Sequence, residues 1–236
     1  MIYLTGDVHY PIDKEKLFLA SEVGLISSKD VLLVTGDFGV VWESLGHTLD
    51  MLDEIKTLPY TILWIDGNHE HFPLIESFPV VSRYDNICHK LADNCYHLCR
   101  GNIYTIEGHS FLALGGAMST DRYTRTKGID WFPEEELDGD VVGKVLNKLY
   151  TDMRVDYVVS HDCPAHILEQ IYRGKEILKS RTSDILSIID AQIDCTKWFF
   201  GHHHINKSFC NDKYYCLYNT IVDLEGTLHL QVPSSD

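Results

Sequence analysis

The sequence is poor in positive charge: 20 Lys and Arg stand against 35 Asp and Glu, a formal net charge of -15 over 236 residues. A non-specific nucleic-acid binder needs basic surface to displace counterions, so that class is disfavoured. Docking on an anionic membrane is disfavoured for the same reason. No apolar run approaches membrane-spanning length. The opening MIYLTGDVHY has no basic region followed by a long apolar stretch, so no secretory leader is expected. The seven cysteines are odd in number and form no CxxC pair. Neither a disulfide framework nor a zinc ribbon is supported, and a reducing, cytoplasmic location is expected. There is no internal repeat, low-complexity stretch or obvious linker, so one domain over residues 1–236 is the expectation. None of these absences excludes a phosphorylated small-molecule substrate, because bound cations can reverse the local field of an acidic protein. Oligomeric state is not legible.

What is present is a recurring unit: a short apolar run that ends in a polar cluster. Ile2 to Thr5 leads into GDVH, Val31 to Thr35 into GDFG, and Thr61 to Ile65 into DGNHEH. Tyr157 to Ser160 leads into HDCP and Lys197 to Phe200 into GHHH. Runs rich in β-branched and aromatic residues read as buried strands. Apolar spacing near the helical period predicts helices over Asp13 to Ile26, Leu45 to Leu58 and Thr182 to Ala191. A further helix is predicted over Pro133 to Met153, opened by proline and by acidic Glu134 to Glu136. A hairpin is expected within Tyr96 to Leu114, and YYCLYN and TLHLQV read as two late strands. Strand–helix alternation followed by hairpins predicts a mixed α/β architecture with two sheets.

Each strand–loop junction ends in residue types that ligate metals. Asp7 and His9 are two apart, as are His202 and His204. In an extended segment such pairs point the same way, which would turn His203 away. Asp37 follows Gly36, Asn68 and His69 follow Gly67, and His161 follows its apolar run. Glycine beside a ligand lets the backbone turn tightly and approach the bound group. Seven candidates result: Asp7, His9, Asp37, Asn68, His161, His202 and His204. Oxygen and imidazole nitrogen without thiolate suit Mn, Fe or Zn over a structural Cys-type site. Seven is too many for one tetrahedral ion and natural for two ions sharing a carboxylate. Two Asp against two divalent cations, even with a bridging hydroxide, leave a positive site that would attract phosphate. Two cations about 3.5–4 Å apart can stabilise the attacking and leaving oxygens of an in-line displacement and lower the pKa of a bound water.

In order, Asp7-Val-His9, Gly36-Asp37, Gly67-Asn68-His69-Glu70, His161 and Gly201-His202-His203-His204 resemble the five motifs of calcineurin-like metallophosphoesterases, in particular small bacterial and phage members. The blocks span residues 7 to 204. The resemblance implies a four-layer αββα sandwich of two mixed sheets flanked by helices. It implies two divalent metal ions. One would be held by Asp7, His9, Asp37 and His204, the other by Asp37, Asn68, His161 and His202, with Asp37 as the bridge. His69 would bind no metal. It would act as general acid for the leaving oxygen or stabilise the transition state by hydrogen bonding. The second block reads GDFGVVWE and lacks the Asp-Arg-Gly run of the protein Ser/Thr phosphatases, which speaks against that role. Glu70 stands where nucleases and cyclic-nucleotide phosphodiesterases of the family commonly carry Asp.

The expected activity is hydrolysis of a phosphate monoester or diester by a metal-bridging hydroxide. The competing readings are a non-catalytic metal-binding scaffold of the same fold and a nuclease. Arg122, Arg125 and Lys127 are candidates for a substrate clamp, because Arg suits bidentate phosphate recognition, with Arg122 and Arg125 placed first. Asp121 and Asp130 in the same loop partly cancel that charge. His71 is a candidate rim residue, and His203 is expected to form wall. The remaining histidines have no motif around them. Asp and Asn in strand–helix loops also serve as caps, and it is the ordered set that favours ligation.

Overall fold

The structure is a computed structural model, and it describes residues 1–149, 154–176, 178 and 180–233. Its strands are β1 (Ile2–Thr5), β2 (Val31–Val34), β3 (Thr61–Trp64), β4 (Val80–Arg83), β5 (Asn86–Ala92), β6 (Cys95–Leu98) and β7 (Asn102–Ile106). They continue with β8 (His109–Leu114), β9 (Arg154–Ser160), β10 (Asp194–Phe200), β11 (Lys207–Phe209), β12 (Tyr214–Cys216), β13 (Thr220–Asp223) and β14 (Leu228–Gln231). The helices are α1 (Glu15–Glu22), α2 (Leu45–Ile55), α3 (Phe72–Ser77), α4 (Gly139–Lys148), α5 (Ala165–Ile171) and α6 (Arg181–Asp190).

Eight strands form one sheet in the order β14-β13-β1-β2-β3-β6-β5-β4, and six form the other in the order β11-β12-β10-β9-β8-β7. Both are mixed. Strands β1, β2, β3 and β6 run parallel, with antiparallel β13 and β5 beside them. In the second sheet β8, β9, β10 and β12 run parallel, with antiparallel β7 and β11 at the edges.

Period-two alternation explains the layering. Ile2, Leu4, Val31, Leu33, Leu63 and Ile65 from the first sheet meet Phe111, Ala113, Tyr157, Val159 and Phe199 from the second in one buried cluster. The intervening Tyr3, Leu32, Val34, Ile62 and Trp64 face outward onto Leu17, Ala20, Met51, Leu52 and Ile55 of α1 and α2. On the far side Leu112, Leu114, Val158, Trp198 and Phe200 pack on Val141, Val145, Ile167, Leu168, Ile185, Leu186 and Ile189 of α4, α5 and α6. This is the expected αββα sandwich. Strands covered on both faces read as continuous apolar runs, which is why five of them stand out in the sequence.

Two expectations are corrected. Pro133–Glu135 is a short 3-10 turn, and α4 begins only at Gly139, capped by the Asp138 side chain accepting from the backbone N–H groups of Asp140 and Val141. Glu135 is 1% exposed and is no solvent-facing helix-start charge. The predicted end of that helix, Tyr150 to Met153, lies outside the described residues.

Candidate metal centre

The loops that leave β1, β2 and β3 in one sheet and β9 and β10 in the other carry the five motif blocks to one place. His204 Nε2 is 3.1 Å and His9 Nε2 4.0 Å from Asp7 Oδ2. A second group joins His161, whose Nε2 is 3.3 Å from Asp37 Oδ2, with His202, ring centroids 5.0 Å apart. Asn68 Oδ1 lies 3.1 Å from His161 Nε2. Asp37 Oδ2 joins the two groups, being also 3.4 Å from His9 Nε2. All seven candidate residues therefore converge.

Backbone donors fix how the carboxylates point. The His69 N–H donates to Asp37 Oδ1 at 2.8 Å, and the His202 N–H donates to Asp7 Oδ1 at 2.9 Å. Each carboxylate thus keeps Oδ2 for the centre. Asp7 Oδ2 is buried and receives no well-aligned hydrogen bond. His161 Nδ1 donates to the Thr35 carbonyl at 2.9 Å, so in the neutral ring Nε2 presents a lone pair to the Asn68 and Asp37 oxygens. Lone pairs facing lone pairs in a buried space are repulsive unless a cation lies among them. The donors present fit divalent ions on that ground, and their oxygen and imidazole chemistry suits Mn, Fe or Zn. With protons as the only cations, burial acts to lower the two imidazoles and the carboxylates outweigh it. His9 rises to about 9 and His161 to about 10, driven chiefly by Asp37 and Asp7. Asp37 is held well below the usual carboxylate range, the nearby His161 and His69 outweighing the effect of its burial. Burial, followed by the neighbouring His203, pushes His202 down to about 3.

The local route to this convergence differs from the extended alternation expected. His9, Asp37, His202 and His204 all have positive φ, at 40°, 45°, 65° and 50°. Left-handed backbone is costly for residues with a Cβ and persists where the surroundings over-determine it. The chain therefore coils at these points, and His202 and His204 reach different groups where alternation would have aimed them together. The adjacent glycines make room for the ligand-type side chains. A Cβ on Gly67 would stand 2.0 Å from Asp37 Oδ1, and one on Gly201 would stand 2.2 Å from Asp7 Oδ1.

Beside the cluster, His69 lies under Arg125, whose Nη2 is 3.2 Å from Nε2 and 3.3 Å from Nδ1. Burial lowers the His69 pKa; Asp37 opposes that shift and the Arg125 charge adds to it. Trp42 backs both, 5.4 Å from the His69 ring and 5.8 Å from the guanidinium. These residues, with His9, Tyr10 and Asp130, line a cavity of about 340 Å³. A second cavity of about 210 Å³ opens beside His202, walled by Met118, Leu168, Tyr172 and His203. His203 turns from the centre: Nε2 is 3.1 Å from Asp162 Oδ1 and Nδ1 3.2 Å from the Tyr172 hydroxyl.

Two proposed substrate contacts do not reach either cavity. Arg122 lies against Tyr123 and 3.6 Å from Glu136. His71 caps α3, its Nδ1 accepting from the Leu74 N–H at 3.2 Å, with its ring on Phe132. Helix-cap geometry and a local ion pair hold them elsewhere.

Sequence reasoning missed the supports. The Asn68 amide donates to Ser119 Oγ at 3.1 Å, and Ser119 donates to Glu135 Oε2 at 2.6 Å, which turns Asn68 Oδ1 toward His161. Lys16, fully buried, donates to the carbonyls of Asp7, Tyr218 and Gly6 at 2.5, 2.6 and 3.3 Å. Its only sequence signal is a lysine on the apolar stripe of α1, one residue before Leu17.

A buried cluster of carboxylates and imidazoles at the loop ends of two stacked mixed sheets is a donor set that fits divalent metal ions. The chain belongs to the calcineurin-like phosphoesterase family, whose model matches residues 1–206. Among solved structures it is similar to one described as a putative 5'-nucleotidase from Staphylococcus aureus, in complex with alpha-ketoglutarate. The TM-score is 0.52 at 13% identity, covering 96% of this chain and 52% of that one, so this chain spans about half the length of that structure. It is also similar to phosphopantetheinyl hydrolase from Mycobacterium tuberculosis, with TM-score 0.51, 13% identity, and 92% of this chain and 87% of that chain covered. At that identity both likenesses speak for the fold. No curated protein sequence matches the chain.

Proposed function

We propose that residues 1–236 form a single catalytic domain that hydrolyses a monoester or diester of a phosphorylated small molecule at a pair of divalent ions. Asp7, His9, Asp37 and His204 would hold one ion, and Asp37, Asn68, His161 and His202 the other. The observation that carries this reading is the placement of Asp37 Oδ2, 3.4 Å from His9 Nε2 and 3.3 Å from His161 Nε2. When bound, such ions supply Lewis acidity toward phosphoryl oxygens and a hydroxide nucleophile at neutral pH.

The chain's own residues do the rest. Arg125, 11% exposed, is held by the exposed Asp121 through Nη2 and Nε at 2.9 and 3.0 Å, and a phosphate would engage the same planar pair of donors by displacing that carboxylate. His69 stands beside it and donates a proton, or a hydrogen bond, to the leaving oxygen. Trp42 and Tyr10 exclude water from that side. Size favours small leaving groups, since the two flanking cavities measure about 340 and 210 Å³. A net charge of -15 argues against a nuclease. The presence of every ligand-type residue argues against a scaffold that has lost chemistry. All seven cysteines are free, in keeping with a reducing cytoplasm. Among the described residues no helix is long and apolar enough to cross a membrane.

The test compares turnover of p-nitrophenyl phosphate and bis-p-nitrophenyl phosphate with Mn²⁺, and with chelator as control. Metal-dependent turnover favouring one ester supports the reading and chooses between phosphatase and phosphodiesterase. Two bound metals with no turnover on any ester, including a panel of phosphorylated metabolites, would leave the scaffold.

A further inference from the structure

Away from the candidate centre, β5 and β6 bring together a second set of metal-ligating side chains. His89 and His97 are direct cross-strand partners in antiparallel register. Such partners have Cβ atoms about 4.5–5.5 Å apart. Cys99 follows His97 at i+2, on the same side of the chain. The result is compact: His89 Nδ1 is 3.1 Å from His97 Nδ1, and Cys99 Sγ is 3.8 Å from His89 Nδ1. Ligand atoms of all three residues lie within 4.8 Å of one another.

The hydrogen-bond pattern turns the Nδ1 lone pair of His97 toward His89. His97 Nε2 is 3.0 Å from Asp66 Oδ1, and Arg100 Nε donates to Asp66 Oδ2 at 2.7 Å. That carboxylate, paired with the Arg100 guanidinium, accepts from both neighbours. His97 therefore donates through Nε2, and in the neutral ring Nδ1 is bare and faces His89. A carboxylate behind a histidine is the usual outer support of a metal ligand, since it fixes the tautomer and raises ligand basicity. His89 Nδ1, 3.1 Å away, donates to the His97 Nδ1 lone pair in the metal-free chain, and a bound metal ion would replace this shared proton.

Two of the three spacings lie near those around an ion. A tetrahedral centre with nitrogen at about 2.0–2.1 Å and sulfur at about 2.3 Å separates two nitrogens by about 3.4 Å and nitrogen from sulfur by about 3.5 Å. The observed 3.1 and 3.8 Å need shifts of a few tenths of an ångström. The side chains border a cavity of about 380 Å³ shared with Glu76 and Glu134, which leaves a fourth position for water or an external ligand.

We infer that His89, His97 and Cys99 form a separate mononuclear site for a thiophilic transition metal, zinc above all, with Asp66 orienting His97. Thiolate and imidazole together select zinc over magnesium, calcium or manganese. Burial raises the Cys99 thiol above its ordinary value, and coordination would deprotonate it outright.

Cobalt(II) gives the test, because a thiolate ligand produces a near-ultraviolet charge-transfer band that oxygen and imidazole ligands do not. The metal-free full chain is titrated with Co²⁺, followed by competition with Zn²⁺. The expected result is a thiolate band that saturates with an amplitude matching one thiolate-bound cobalt per chain, whatever the other sites take up, and is bleached by Zn²⁺. It should be lost in Cys99→Ser, appear with at least tenfold weaker affinity in His89→Ala, and persist in Cys163→Ser. Cobalt binding with no thiolate band would overturn the inference. So would a band that survives both Cys99→Ser and His89→Ala, or one that disappears in Cys163→Ser alone, which would assign it to the Asp162–Cys163–His203 group.

Discussion

Arg125 Nη2 stands nearly equidistant from the two nitrogens of His69, 3.2 Å from Nε2 and 3.3 Å from Nδ1, within hydrogen-bond reach of both. A guanidinium held against an imidazole disfavours the imidazolium, and both groups then favour an anion between or beside them. The pair is therefore expected to act on the phosphoryl group together. His69→Ala should lower kcat by about 10²–10³-fold while metal content stays unchanged, because general acid catalysis by one side chain contributes on that scale. Arg125→Ala should raise KM about tenfold, with a smaller fall in kcat, since a phosphate contact binds the ground state as well. Steady-state kinetics with metal analysis of each variant checks both. Wild-type kcat in His69→Ala would remove it from the chemistry.

Asp37 Oδ2 lies within 3.4 Å of a histidine of each group, and Gly67 keeps the other oxygen, Oδ1, in place. Asp37→Ala should lose metal as well as activity. Gly67→Ala should do much the same without deleting any ligand, because its new Cβ would lie 2.0 Å from Asp37 Oδ1. Metal analysis after dialysis reads both variants. If Asp37→Ala retained two tightly bound ions, the bridging assignment would fail.

The parts of the fold visible in the sequence are those buried on both faces. Val31 to Val34 and Ile62 to Trp64 lie in the middle of a covered sheet, where neither face needs a polar residue, so their runs stay apolar. Strands β4 to β6 escaped notice for the opposite reason. Val80–Arg83 is an exposed edge, and His89, Lys90 and His97 interrupt the apolar pattern of β5 and β6. The convergence of the seven ligand-type residues followed from motif order, whereas the backbone that achieves it did not. Positive φ at His9, Asp37, His202 and His204 leaves no mark in residue type, since glycine is the usual sign of that conformation. Glu135 looked like a helix-start charge because its neighbours Glu134 and Glu136 are acidic, and only tertiary structure shows it buried against Ser119.

Glu135 makes the stability of the fold depend on pH. Burial raises its carboxyl to about 7, against the opposing effects of Ser119 and Arg125. The unfolded value is about 4.3. The folded state therefore holds the proton more tightly, and its stability falls as pH rises from about 4.3 through about 7. Glu135→Gln keeps an acceptor for Ser119 and removes the ionisation. Thermal unfolding in chelator should then vary less between pH 5 and 8 (about 1 kcal/mol less, after screening is allowed for). The variant should be the more stable one at the upper end. An unchanged pH profile would show that Glu135 is not the titrating group.

Lys16 presents the sharpest stability prediction. Its ammonium is fully buried and donates to three backbone carbonyls, those of Asp7, Tyr218 and Gly6. It ties the end of β1 to the chain before β13, at the point where Asp7 turns toward the centre. Burial lowers its pKa to about 8, while Asp7 and Asp13 resist that shift. Lys16→Met preserves the length of the stem but leaves carbonyls without their donor. Unsatisfied buried groups and lost charge-assisted bonds should together cost about 2–4 kcal/mol in chemical denaturation. A second effect separates this from ordinary core damage. Because Asp7 loses its backbone anchor, metal affinity should fall as well, whereas a core truncation of similar cost remote from the site, such as Ile189→Ala, should leave it unchanged. If both variants lost stability equally and bound metal equally well, Lys16 would be a structural residue with no part in positioning Asp7.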